Sequence, residues 1–343
     1  MIKAYAALAP GAELRSFEYN PGELGHDQVE IAVEYCGVCH SDLSMLDNQW
    51  GMTAYPFVPG HEVAGRISEV GSHVTAFKVG DRVGLGWNSG YCNQCACCMT
   101  GDHNLCSDAE GTIVGRHGGF ADHVRAQATS VVKLPDDLPM DVAGPLFCGG
   151  VTVFNPILQY NLSPTSRVAV IGIGGLGHLA LQFLRAWGCH VTAFTSSPDK
   201  HDELLALGAH ATLDSRSKDA LKAATGSFDL ILSTVNVGLE WNRYINCLKP
   251  RGRLHFVGAL MEPVQVNIFS LMAAQRSISS SPVGSPSTIA TMLDFAVRHN
   301  IRPQIELFAM KDVNKALAHL RNGSPRYRIV LKHGELEEAN ADV

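Results

Sequence analysis

The sequence predicts an α/β protein in two parts, a doubly wound parallel sheet and a second, β-rich and loop-heavy domain. Three observations carry that prediction. At 343 residues the chain is long enough for two domains of the usual ~100–200 residues. Its pattern changes near Pro164, from short alternating strands broken by glycine and proline to apolar strands separated by helical segments. Between the first of these apolar strands and the helix that follows it stands a glycine-rich turn, Gly172-Ile173-Gly174-Gly175-Leu176-Gly177.

Taken in order, Val29-Glu30-Ile31-Ala32-Val33 alternates in the two-residue period of a half-buried strand, and Gly80-Asp81-Arg82-Val83-Gly84 reads as a turn leading into another. After Pro164, apolar strands are expected at 167–171, 191–194, 229–232 and 254–257, with helices between them, the alternation of a parallel sheet covered on both faces. The helix after the first strand carries Leu176, Leu179, Ala180, Phe183, Leu184 and Trp187 on one stripe. Leu207-Gly208-Ala209 closes the next helix. A Ser/Pro/Gly-rich stretch, 279–286, is expected to mark a boundary, after which the chain returns to the first domain with a strand at 327–331. The domains are thus expected at 1–149 with 285–343, and at 150–284. The acidic end, 335–343, reads as a frayed tail. No internal repeat and no low-complexity tract is visible.

Composition excludes several function classes. Lysine and arginine total 27 against 33 acidic residues, a formal charge of −6, so no basic footprint is available for nucleic acid or an anionic membrane. Charged residues make up 17% of the chain, below the roughly 25% of an average domain, and 46% is hydrophobic, which suits a large core and not disorder. The apolar run from Val168 to Leu184 is shorter than the roughly 20 residues of a bilayer crossing and is broken by glycines. The N-terminus, Met1-Ile2-Lys3-Ala4-Tyr5, lacks the features of a signal peptide, so the reducing cytoplasm is the expected compartment. Ten cysteines in that compartment call for a role other than disulfides.

Two motifs carry chemistry on their own. In the turn at 172–177, Gly172, Gly174, Gly175 and Gly177 with Leu176 allow a tight turn, close backbone approach to a pyrophosphate and close helix-on-strand packing, while the helix N-terminus offers free N–H groups. An ordinary glycine-rich turn is the plain alternative. Cys92, Cys95, Cys98 and Cys106, at short spacing, suit a closed tetrahedral zinc site in which no position is left for water, hence a structural one; Cys97 breaks the spacing and is read as a bystander. A third group, Cys36 to Asp42, Gly60-His61-Glu62 and Phe147-Cys148, is scattered, and spacing alone leaves each member as readily a core cysteine or a structural histidine.

Gly60-His61-Glu62-x2-Gly65-x5-Gly71-x2-Val74 resembles the signature of the zinc-containing alcohol dehydrogenases in the medium-chain dehydrogenase/reductase family. With Cys39-His40-Ser41-Asp42, the four-cysteine lobe (about 88–110) and the glycine turn in the family's order, the resemblance spans nearly the whole chain and is nearest to the cinnamyl alcohol dehydrogenase class, within it the bacterial NADPH-dependent aldehyde reductases. It implies a GroES-like catalytic domain beside a Rossmann domain, with the active site in the cleft between them. It makes Cys39, His61 and Cys148 catalytic zinc ligands with one position open for water or the substrate oxygen. It places Glu62 near the metal and Asp42 behind His61, makes Ser41 the hydroxyl of a proton relay, and sets His40 and Arg328 near the cofactor pyrophosphate. Trp50 and Trp87 match aromatic positions of the substrate cleft.

Two departures stand out. Where many relatives end the relay in a histidine, this chain has Ser44, which can pass a proton but not hold one near neutral pH, so the relay is expected to end in water. Where NAD-dependent relatives carry an acidic residue at the second strand's end, this chain has Thr195-Ser196-Ser197 followed by Lys200, which favours NADPH. The expectation is therefore a zinc enzyme, with two zinc ions per chain, that reduces aldehydes to primary alcohols with NADPH, works on a small molecule and forms a homodimer. Its alternatives are an alcohol or polyol dehydrogenase working in oxidation, and a non-catalytic zinc and dinucleotide-binding redox sensor.

Overall fold

A computed structural model describes residues 1–323 and 325–334, and the expected frayed tail at 335–343 lies outside them. The chain forms two compact units, one comprising Met1–Cys148, Gly284–Val297 and Arg302–Val343, the other Gly149–Val283 and Arg298–Ile301.

The second unit is built on six parallel strands in the order Ala211–Asp214, His190–Thr195, Arg167–Ile171, Phe228–Ser233, Leu248–Phe256, Ser277–Ser280. Numbered along the chain, this is 3-2-1-4-5-6, the order that places a nucleotide where it reverses, at the strands' carboxyl ends. Val168, Ala169 and Val170 are fully buried, as a strand covered on both faces requires. The helix Gly177–Trp187 buries Leu179, Ala180, Phe183 and Leu184 and stops at Gly188, whose φ of 108° reverses the chain without a Cβ clash. The expected stripe is narrower than the observed one. Leu181 is buried too, because the helix packs both on the sheet and on the helix Gly149–Gln159, where Phe154 meets Phe183 at 5.2 Å and Trp187 at 6.3 Å.

Three strand expectations change. The strand Ala211–Asp214 is absent from the expected series, being short and followed at once by polar residues. Leu248–Phe256 starts six residues earlier than expected, since Pro250 and Gly252 read as a break; pairing with Phe228–Ser233 in fact resumes across an irregularity between Phe228 and Leu230. The serine-rich stretch at 279–286 opens inside the edge strand Ser277–Ser280.

The first unit holds a seven-stranded sheet whose centre is the long strand Gln28–Val38, paired antiparallel with Val63–Val70, His123–Gln127 and Arg328–Lys332. Its alternation buries Val29, Ile31 and Val33. A small antiparallel pair, Asn88–Gly90 with Glu110–Gly111, closes the cysteine-rich lobe. Among the described residues no single helix is long and apolar enough to cross a membrane.

Candidate functional site

The first unit draws Cys39, His61, Glu62 and Cys148 together, one ligand atom from each lying within 4.8 Å of the others, all four buried. Cys39 is the N-cap of the helix His40–Leu46, and Cys148 caps the short helix Gly144–Phe147. His61 precedes the strand Val63–Val70. The two sulfurs are 4.0 Å apart.

Asp42 sets this geometry. Fully buried, it accepts the Cys39 N–H at 2.9 Å, the Gly60 N–H at 2.9 Å and the His61 Nδ1–H at 3.0 Å. One carboxylate thereby closes the helix N-terminus and fixes the imidazole tautomer. His61 Nε2 is then left buried with no hydrogen-bond partner among the described residues. An acceptor lone pair so placed, between two thiols, is the arrangement a thiophilic divalent ion satisfies, so the residues fit a zinc ion.

The charges of these groups are strongly perturbed. The hydrogen bond from Cys148 draws the Cys39 thiol well below its ordinary range, against the effect of burial, while the same contact and burial push Cys148 up. Burial disfavours the charged imidazole of His61, but the Asp42 carboxylate outweighs it and raises the group. Burial lifts Glu62 to about 7, opposed by Arg328, whose guanidinium donates to Glu62 Oε1. Arg328 is 5% exposed and its Nε remains buried without a partner among the described residues. This ion pair joins residues 266 positions apart, and no local signal in the sequence announces it.

The Trp87 ring packs edge-on against His61 at 5.1 Å, and Trp50 packs against Trp87 at 5.9 Å. Ser41 Oγ lies 3.8 Å from Cys39 Sγ. Ser44 donates to Gln49 Oε1 at 2.9 Å, and His40 is exposed on the same short helix.

In the lobe, Cys92, Cys95, Cys98 and Cys106 form the second cluster, with sulfur separations of 3.9 Å (Cys92 to Cys98) and 3.5 Å (Cys106 to Cys92); Cys97 lies outside it. Bonds from the backbone N–H groups of Gln94 and Cys95 pull the Cys92 thiol down to about 7, as a metal-binding thiolate needs.

In the second unit, the glycine turn is shaped for close approach. A Cβ on Gly177 would meet the Gly172 carbonyl at 2.1 Å, whereas one on Gly174 would meet nothing within 4 Å. The turn is pinned from within by Thr234 Oγ1, which donates to the Gly172 carbonyl at 2.5 Å, and beneath it by His178, whose Nδ1–H and backbone N–H both reach the Gly174 carbonyl at 3.1 Å. At the next strand's end, Ser197 N–H bonds Thr195 Oγ1 at 3.0 Å and Lys200 N–H bonds the Ser197 carbonyl at 3.1 Å, leaving Ser196 exposed.

Comparison with known proteins agrees with this geometry. Residues 25–136 match the alcohol dehydrogenase GroES-like domain and residues 175–298 the zinc-binding dehydrogenase domain. The aldehyde reductase AdhA of Synechocystis is 60% identical over 98% of this chain and 100% of its own. The solved cinnamyl alcohol dehydrogenase of Sorghum bicolor superposes with a TM-score of 0.93 at 37% identity, covering 98% of this chain and 99% of that one. The cinnamyl alcohol dehydrogenase of Helicobacter pylori, solved with NADP(H), gives a TM-score of 0.88 at 27% identity, with coverages of 96% and 97%. The chain belongs to the zinc-containing alcohol dehydrogenases of the medium-chain dehydrogenase/reductase family, in the cinnamyl alcohol dehydrogenase class.

Proposed function

We propose that this zinc- and nicotinamide-dependent oxidoreductase reduces aldehydes to primary alcohols with NADPH, with Cys39, His61 and Cys148 holding the catalytic zinc. The observation that carries the reading is the buried His61 Nε2, without a hydrogen-bond partner among the described residues and grouped with two thiols. Zinc supplies Lewis acidity to the carbonyl oxygen and the nicotinamide supplies the hydride. The chain's residues do the rest. Asp42 holds His61 in one tautomer, and Ser41 donates a proton to the oxygen that becomes the alcohol. Ser44, engaged with Gln49, has no basic atom to store a proton, so replenishment comes from water. Glu62 and Arg328 keep a compensated charge pair behind the ligands. Trp87 and Trp50 form an apolar wall for the substrate.

Catalysis is assigned to the unit holding Met1–Cys148 and dinucleotide binding to the unit holding Gly149–Val283. Gly172, Gly174, Gly175, Leu176 and Gly177 take the pyrophosphate, and Thr195, Ser196, Ser197 and Lys200 favour a 2′-phosphate. The NADP(H) bound by the Helicobacter pylori relative supports that preference. The lobe cysteines hold a second, structural zinc, giving two per chain. Such thiol density suits the reducing cytoplasm. A homodimer is supported by the edge strand Ser277–Ser280 and the neighbouring helix Ile268–Met272, where Phe269 is 76% exposed.

The test is a panel of aldehydes with NADPH and with NADH, alongside metal analysis. Oxidation of NADPH by several aldehydes at higher kcat/KM than NADH is expected. A protein that carries two zinc ions yet oxidises neither cofactor with any aldehyde would overturn the enzymatic reading in favour of a binding role.

A further inference from the structure

We propose that Arg216 is a second cation for the cofactor's 2′-phosphate, and so a specificity-determining residue beyond Thr195, Ser196, Ser197 and Lys200. The proposal rests on the NADPH reading above. A phosphate monoester carries a charge of about −1.5 to −2 near neutral pH, and Lys200 with two hydroxyls offers it only one positive charge. The strand order supplies another.

Ala211–Asp214 is the sheet's outer neighbour of His190–Thr195, and the two run parallel with Thr195 opposite Asp214. The pairing reaches one residue past the strand end. The Ser215 N–H donates to the Thr195 carbonyl at 2.8 Å, so the turn that follows, with Arg216 in it, begins one strand spacing of ~4.8 Å from the chain that leads into Ser196 and Ser197. An extended arginine side chain is longer than that gap. Both strands reach this point at their carboxyl ends, on the edge of the sheet where the glycine turn also lies.

The acidic residue nearest to Arg216 is turned aside. Asp214 Oδ1 accepts the Arg216 backbone N–H at 2.8 Å, which fixes the turn and leaves the Arg216 side chain outside it. Arg216 is exposed, and among the described residues its guanidinium makes neither an ion pair nor a hydrogen bond. The hydroxyls of Ser196 and Ser197 are likewise without partners among the described residues, so three donor groups on two adjacent strand ends, with Lys200 behind them, are free at one place. A guanidinium suits the task because its planar fork bonds two phosphate oxygens at once, which an ammonium cannot do.

The experiment is calorimetric binding of adenosine 2′,5′-bisphosphate and of 5′-AMP to the zinc-loaded enzyme, in the parent, Arg216→Gln and Arg216→Lys. The parent should prefer the bisphosphate. Arg216→Gln should weaken the bisphosphate about tenfold or more and flatten its salt dependence, with 5′-AMP unchanged; Arg216→Lys should fall between. If Arg216→Gln keeps the parental preference, the assignment is overturned while NADPH selectivity stands. If both ligands weaken in parallel, Arg216 acts through the turn and the assignment also fails. A parent that binds the two ligands alike would overturn the NADPH reading and this proposal together.

Discussion

Asp42 decides more of this site than any ligand does, because three hydrogen bonds from three different backbone and side-chain donors end on its two oxygens. Asp42→Ala should therefore lower zinc affinity by roughly 10- to 100-fold, the range for losing a partner of a metal-binding histidine. Ser41→Ala should behave oppositely, keeping zinc while turnover falls by roughly 10² to 10⁴. Competition with a chelator, measured beside steady-state rates, separates the two; equal zinc affinity in Asp42→Ala and the parent would show that His61 is held by something else. Little of this was readable from spacing. Cys39, His61 and Cys148 are too far apart in the chain for any local pattern, and only the resemblance joined them. Glu62 and Arg328 were each singled out, but their ion pair depends on the strand Arg328–Lys332 returning to pair with Gln28–Val38.

At the scale of elements, regular periodicity was legible and sheet edges were not. The helix Gly177–Trp187 and the strand Arg167–Ile171 are announced by apolar spacing, because each buries its face against neighbours close in sequence. Ala211–Asp214 and Ser277–Ser280 are short and polar, and they become strands only through the partners beside them. Beside the second of these edges, on the strand Leu248–Phe256, lies a titrating group. His255, fully buried, places Nδ1 2.9 Å from Ser279 Oγ and Nε2 3.0 Å from Ser281 Oγ, with Tyr160 packed edge-on at 5.3 Å. Burial, and then the charge of Arg253, press it down to about 4. Above its unfolded value near 6.5 neither state binds the proton; as pH falls from about 6.5 to about 4, the unfolded chain takes it up and the folded one does not. Stability should drop across that window, by up to roughly 3 kcal/mol, and level off below it. Melting temperatures of the parent should accordingly fall more steeply than those of His255→Gln between pH 6.5 and 4.5. Parallel curves would place the acid sensitivity elsewhere.

For the molecule as a whole, the division between a working metal and a holding metal is the property to test. Cys106→Ser should release one zinc and lower the melting temperature, because the lobe has only a small cluster around Tyr91, Cys98 and Cys106 to hold it without metal. Cys148→Ser should abolish turnover with far less effect on melting. A fully active enzyme holding a single zinc ion would contradict the division.

The two thiol clusters also differ in how much chain each must tie off. Cys92 and Cys106 are 14 positions apart, Cys39 and Cys148 are 109. The entropy of closing a loop grows with the logarithm of its length, so assembling the longer one from an open chain costs about 2 kcal/mol more. The lobe is a nearly local clasp, complete before Cys148 has left the ribosome, whereas the cluster of Cys39, His61 and Cys148 waits for most of its domain. When metal is scarce the lobe should fill first, leaving a population that is folded and inert. On adding zinc stepwise to chelated, unfolded protein, thermal stability should recover ahead of turnover, so that abundance of this enzyme in a zinc-starved cell overstates its activity.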